Sequence, residues 1–431
     1  MPSCARILLG LCLSAGFLSA GCSSSSKIAQ ENLGFEISDK AASVSKLWTR
    51  TMPGLVTDVS LNSDGSKALL TLVPDTEGAL KNPPAVKIKD PTLAVVGSEG
   101  EITWSKVLDS KPKWQAFSAG GDFSVATTYD GKLVAFDASG KLLWDRDNYC
   151  RPRILEKSSH ILCHRWDDAK PTGMGFDLYD RAGTKLQSFP VTGELLDLSV
   201  SADEKFVALS LTGGRVQVID LESLKLAWEV KVRGQMIGVS ISSGPEPLLA
   251  VFFYKRSDTG KHQATLALYN SGSSGGGSGG KLVDQLMPEG QFEQVAISPN
   301  AQIIAVYGNS SRGQLLVSFS RAAVTPPAAD FIKFKEAWRH QSPRYSDYNS
   351  PLVVTDQRII VGFEDGTSAD SGKSVTHLFS FDRGGKVEWA IPLVSDEGGY
   401  LFAYSREGSE PILFGVADNG EVSAYRIKSG D

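Results

Sequence analysis

The sequence predicts an all-β chain folded as a single β-propeller, with eight blades of four antiparallel strands closed by pairing of its N- and C-terminal segments. Three observations carry this. Short runs rich in β-branched and aromatic residues, separated by Asp-Gly, Ser-Gly or Gly-Gly turns, continue from Lys46 to the end, and no stretch keeps a helical period. One unit of strands recurs and ends in most copies in a Trp. The last unit lacks an outer strand, and the first strand after the N-terminal region has no unit before it.

Each element follows from that grammar. The clearest unit runs Phe123–Thr128, the turn Asp130–Gly131, Leu133–Phe136, the turn Asp137–Gly140, and Lys141–Trp144. The same closing pattern ends at Trp104, Trp228 and Trp389, and a weaker copy puts Gln187 where the Trp belongs. Taken with Trp48, a degenerate position near Val283 and another near Trp338, these milestones lie 40 to 56 residues apart, as propeller blades with loop insertions would. A large flat side chain near each outer strand can bury about 150–250 Å² against the next blade. Tandem β-sandwiches are the alternative, but they do not call for a Trp at the same point of every unit.

The final set, Tyr400–Tyr404, Ile412–Val416 and Val422–Ile427, stops one strand short. Lys46–Met52 reads as an outer strand that would complete it, removing two open sheet edges at once. The propeller is therefore assigned to residues 46–431. Residues 22–45 are polar, with no sustained period, and read as a flexible tether of about 25–30 Å r.m.s. span.

Composition excludes some functions. Net charge is −5, and the basic residues are scattered singly, so no cationic stripe exists to displace counterions from a nucleic acid. No metal or catalytic cluster of recognised spacing appears, and no cofactor is expected. His160 and His164 would face one side of a strand and Cys163 the other, which points to strand packing over a metal site. Of five cysteines, Cys150 and Cys163 flank an apparent hairpin, Arg153–Leu155 with His160–Leu162, and are the candidates for a disulfide in an oxidising compartment; two buried thiols are the alternative. The segment containing Trp338, Arg339, Arg344, Tyr345 and Tyr348 interleaves rings with Arg, the types that concentrate at binding hot spots. It is a candidate partner loop, with inter-blade packing of those rings as the alternative. The Gly/Ser-rich stretch 270–280 reads as an insertion between two strands.

Two resemblances add expectations. Arg6, the apolar run Ile7–Leu18 and Leu18–Cys22 resemble a bacterial lipoprotein signal ending at its lipobox, with Ser19 where the family usually has Leu. The apolar run is too short to span a bilayer. The resemblance implies a signal peptide over 1–21 and a diacylglyceryl thioether on Cys22, with palmitate-type acylation of its amine; ordinary signal-peptidase cleavage is the alternative. Ser23 in place of Asp implies the outer membrane. Residues Leu133–Trp144 resemble the repeat of pyrroloquinoline-quinone-type propellers, while the region Leu196–Trp228 reads equally like WD-type repeats. Together with the lipobox and eight blades, the chain resembles the BamB-like propeller lipoproteins of the outer-membrane barrel assembly machinery. That resemblance implies a lipid-anchored, non-catalytic scaffold on the periplasmic face of the outer membrane, with the membrane and envelope proteins as partners and no nucleic acid. A periplasmic quinone-dependent enzyme, or a small-ligand or glycan receptor using the central channel, is the alternative.

Overall fold

The computed structural model describes residues 35–36, 38, 42–76, 78, 80, 87–165, 175–191, 193–256, 262–272, 279–310, 312–323, 332–342, 352–364, 374–395, 400–404, 411–417 and 420–428. Cys22, Arg344, Tyr345 and Tyr348 lie outside them.

The chain forms eight four-stranded antiparallel sheets, seven of them built from four consecutive strands. Blades 1 to 7 span residues 55–107, 112–147, 150–190, 195–231, 235–286, 291–341 and 353–395. Blade 8 takes its first three strands from residues 400–428 and its outer strand from Ser43–Thr51. The join pairs Ser43 with Lys428 and Thr51 with Glu421, so the two terminal segments close the ring as the sequence predicts. First strands of neighbouring blades pack on one another and line the centre. Second and third strands bury Val, Leu, Ile and Phe on both faces, because each blade is sandwiched between two others.

The fourth, outer strands share one device. In all eight the pairing register skips a residue, and the side chain after that bulge is Trp48, Trp104, Trp144, Gln187, Trp228, Asp284, Trp338 or Trp389. The bulge re-aims this position toward the next blade. The degenerate milestone is therefore Asp284, one residue beyond Val283, which is the bulged residue.

Five of the six milestone Trp residues meet the residue four places before the next milestone. Trp48 lies over Gly100, Trp104 over Gly140, Trp144 over Gly183, Trp228 over Gly280 and Trp338 over Gly385. A Cβ on any of these glycines would sit 2.6 to 2.9 Å from the ring. Indole N–H groups complete three of the joints, donating to the carbonyls of Ser98, Arg181 and Arg383. Where Gln187 replaces the ring, the corresponding turn residue is Leu224, with φ +54°. At Asp284 the corresponding residue is Phe334, whose N–H donates to Asp284 Oδ2 at 2.7 Å.

The stretch read as flexible tether is partly held. Phe35 is buried against His340, Phe363, Phe379 and Phe381, with ring centroids 4.5 to 5.5 Å away. Val387 donates to the Glu36 carbonyl and accepts from Ser38 N–H, and Ala42 N–H donates to the Glu388 carbonyl. Ser38 Oγ also donates to Asp382. The third and fourth strands of blade 8 come from the two terminal segments and have no turn between them, and the described strap residues bond to blade 7 just before the fourth strand begins.

Candidate interaction face

Alternating strand direction sorts the connections onto two faces. Turns between first and second strands, and between third and fourth, lie on one face; the other carries the second-to-third turns and the crossings between blades. The fold ties the inner turns of the first face together. They bond one to the next: Ser63 N–H to the Ala119 carbonyl, Ala119 N–H to Glu156 Oε1, Glu156 and Lys157 N–H to Glu204, Gly244 N–H to Asp203 Oδ2, Ser243 N–H to the Pro299 carbonyl, and Asn300 N–H to Asp356 Oδ1. These bonds run from blade 1 to blade 7.

The opposite face presents side chains instead. At blade 2 the ammonium of Lys113 lies 4.4 Å from the Trp114 ring centre, 4.8 Å from Tyr149 and 5.6 Å from Tyr129, and it donates to the Tyr149 hydroxyl. Lys111 stands 5.8 Å from the Tyr129 ring. Lys113 is the bulged residue of its strand, which turns it out of the ladder toward these rings. Tyr129 is 55% exposed, a large aromatic left in water beside two cations. Such a grouping suits an anionic or aromatic partner.

The channel beside it is charged and coupled to the ring. Asp58 accepts from Val59 N–H, and burial pushes its carboxyl up to about 6, against the pull of its backbone donors, Val59 and Gln115, and of Arg151. Asp197 accepts from Leu198 and, across the blade boundary, from Val239 at 2.9 Å. Burial raises its carboxyl as well. Gln294 does the same for Leu352 N–H at 3.0 Å. Each holds the first strand of the following blade. Burial, with Arg151 adding to it, lowers His164 to about 4, so its ring is neutral at physiological pH.

Cys150 and Cys163 are both fully buried, with Cα atoms 5.4 Å apart and their sulfurs in contact. Above them Asp177, 1% exposed, gathers Lys185 Nζ at 3.0 Å, Asn148 Nδ2 at 3.2 Å and the Ser188 hydroxyl at 2.5 Å. This network occupies the blade whose milestone is Gln187. Trp338 and Arg339 belong to strand Phe334–Gln341 rather than to a loop. Trp338 is spent on Gly385, and Arg339 forms a two-pronged pair with Glu336 at 2.7 Å. Among the described residues no group of three or more His, Cys, Asp or Glu side chains is placed to hold a metal ion.

Sequence reading missed the Lys113, Trp114, Tyr129 and Tyr149 group because its members are spread over three connections. A signal existed: by the blade grammar, residues 111–114, 129–130 and 148–149 all fall on one face.

No protein-family model matches the chain, and no curated protein matches its sequence. Among solved structures, the crystal structure of BamB from Moraxella catarrhalis is similar over 89% of this chain and 100% of that one, with a TM-score of 0.55 and 12% identity. The β-propeller domain of Cps50 (Swd1) from Myceliophteria thermophila aligns with 89% of this chain and 99% of that one, with a TM-score of 0.49 and 12% identity. At such identity the BamB likeness is one of fold: the eight-bladed ring.

Proposed function

We propose that this protein is a non-catalytic, lipid-anchored scaffold that binds envelope proteins through the face carrying Lys113, Trp114, Tyr129 and Tyr149, in outer-membrane protein assembly. The observation that carries it is the contrast between the faces. One links its inner turns from blade to blade, whereas the other leaves Tyr129 and Lys111 in water beside the half-buried Lys113, Trp114 and Tyr149. The reading takes residues 1–21 as a signal peptide removed at Cys22, residues 22–45 as the connection to the ring and 46–431 as the propeller, on the periplasmic side of the outer membrane. In that oxidising compartment Cys150 and Cys163 form a disulfide. Tethering supplies local concentration, so a modest contact area suffices.

The test is photocrosslinking in intact cells from position 129 on the open face and from position 138 on the turn face. Recovery of barrel-assembly components from 129 and not from 138 supports the reading. Recovery from both alike, or of unrelated partners only, overturns it. The channel carboxylates Asp58 and Asp197 favour a second reading, a small-ligand receptor or quinone-dependent enzyme. A rise in thermal stability with quinone plus Ca²⁺ would support that one, and no shift would reject it.

A further inference from the structure

We infer that the ring carries a hinge between blades 3 and 4: the two blades part there, turning on Glu204 at the turn face, while the boundary on the far side of blade 4 stays shut. The inference is independent of the anchor and partner readings above.

Three kinds of contact recur between blades, and blades 3 and 4 depart from each. At the rim, Gln187 stands exposed in place of the indole, and Leu224, with φ +54°, takes the turn position at which Gly140 or Gly183 admits one. At the hub, the residue three places before the end of a first strand accepts from the next blade: Asp58 from Gln115, Asp197 from Val239, and Gln294 from Leu352. Ser199 and Ser240, each next to last in its strand, accept in the same way from Ile241 and Ile297. In blade 3 these two positions are Pro152 and Ile154, whose side chains offer no acceptor. Blade 2 has Trp114 and Ala116 there, but its rim is clasped by Trp144 on Gly183, and Arg146 Nε donates to the Gly183 carbonyl at 3.0 Å. The packing of first strands is interrupted as well. Among neighbouring blades whose described first strands are five residues or longer, Cys150–Leu155 and Leu195–Val200 are the pair that stands apart.

What joins blades 3 and 4 is of another kind. Leu155, Phe176 and Leu178 share one apolar cluster with Leu195, Val207 and Leu209, an attraction without direction. The directional link lies on the turn face, where the Glu204 carboxylate accepts from Glu156 N–H and Lys157 N–H, both at 2.7 Å. Bonds to an ionised acceptor are about twice as strong as neutral ones. Glu204 itself holds φ +58° at the turn. A strong link at one face and undirected packing elsewhere is the layout of a hinge, and rotation about Glu204 parts the blades at the rim and at the open face. The channel mouth beside Asp197 widens with that motion.

The test exploits two adjacent residues of one strand. Val207 and Ala208 are both fully buried, but Val207 packs in the cluster shared with blade 3 and Ala208 in the one shared with blade 5. Val207→Cys and Ala208→Cys are made in the full chain, and iodoacetamide labelling under native conditions is read on the peptide carrying each, with Cys150 and Cys163 followed on their own peptides. Global unfolding exposes both positions alike, so a difference reports local opening. Relative to the urea-unfolded rate, Val207→Cys is expected to label at least about tenfold faster than Ala208→Cys. Equal rates, or a faster Ala208→Cys, overturn the hinge. Should either variant not fold, Leu209→Cys and Ser210→Cys lie on the same two faces and decide by the same comparison. Rebuilding the clasp with Gln187→Trp and Leu224→Gly is expected to bring the two rates within about twofold of each other; an unchanged ratio overturns the missing clasp as the cause. Glu204→Ala is expected to speed labelling of Val207→Cys further, and an unchanged rate overturns Glu204 as the pivot.

Discussion

The indole of Trp144 lies on Gly183 of the following blade and donates its N–H to the Arg181 carbonyl at 2.8 Å. Gly183 has φ +78°, and a Cβ there would meet the ring at 2.6 Å. Two constraints therefore fall on one residue: a backbone that L side chains rarely adopt and a space that no side chain can share. Gly183→Val is expected to cost about 2–4 kcal/mol through overpacking and strain. Gly213→Ala, at a similar φ with nothing near its Cβ, should cost about 1 kcal/mol. Urea unfolding of both variants checks the difference, and equal losses would assign the cost to backbone strain alone.

Phe35 fills a space between blades 6 and 7. Phe35→Ala should destabilise by about 3–5 kcal/mol, the range for large core truncations. Because the strap bonds to blade 7 just before that strand begins, amide exchange in Ser43–Thr51 should accelerate more than in blade 3. A uniform increase around the ring would show that the strap does not act at the seam.

Asp58 and His164 give stability opposite dependences on pH. Asp58 has a folded value near 6 against 3.8, so its stabilising effect is complete below 3.8 and is lost as pH rises toward 6. His164 has a folded value near 4 against 6.5, so stability falls as pH drops from 6.5 toward 4. Each gap corresponds to at most on the order of 3 kcal/mol, and the two offset each other between pH 4 and 6. Asp58→Asn should raise stability at pH 7 and expose the histidine slope on acidification. Unfolding free energies at pH 4.5 and 7 measure both effects, and an unchanged pH profile would show that Asp58 does not titrate in this range.

The cysteine pair closes a short loop, with a sequence separation of 13. Under the proposed disulfide, reduction is expected to cost about 3 kcal/mol. The Cys150→Ser, Cys163→Ser double variant should be insensitive to reductant. A wild-type melting temperature unmoved by reductant would remove the bond.

Much of the ring is legible because its rules are local. Strand alternation, turn residues and the spacing from Gly140 to Trp144, repeated from Gly100 to Trp104 and from Gly385 to Trp389, are all readable within a few residues. Charge at Asp58 or Asp197 carries no such mark, since any exposed strand tolerates an Asp. Only register and burial show that each holds the strand of the next blade. Trp338 and Arg339 share one short segment that reads either as a partner loop or as inter-blade packing, and only the structure shows the indole on a neighbouring blade and the guanidinium paired with Glu336.

The amino-acid order alone determined eight units, the Trp that ends six of them, and an unfilled outer position at the C-terminus matched by an unattached strand near the N-terminus. Tertiary structure decided which face keeps its side chains in water, where the N-terminal segment is fastened, and how the channel carboxylates are engaged. The division has a physical cause. Strand and turn formation depend on neighbours in sequence, whereas contacts between blades join residues some 40 positions apart, as Trp144 and Arg181 are, and exist only once the ring has closed.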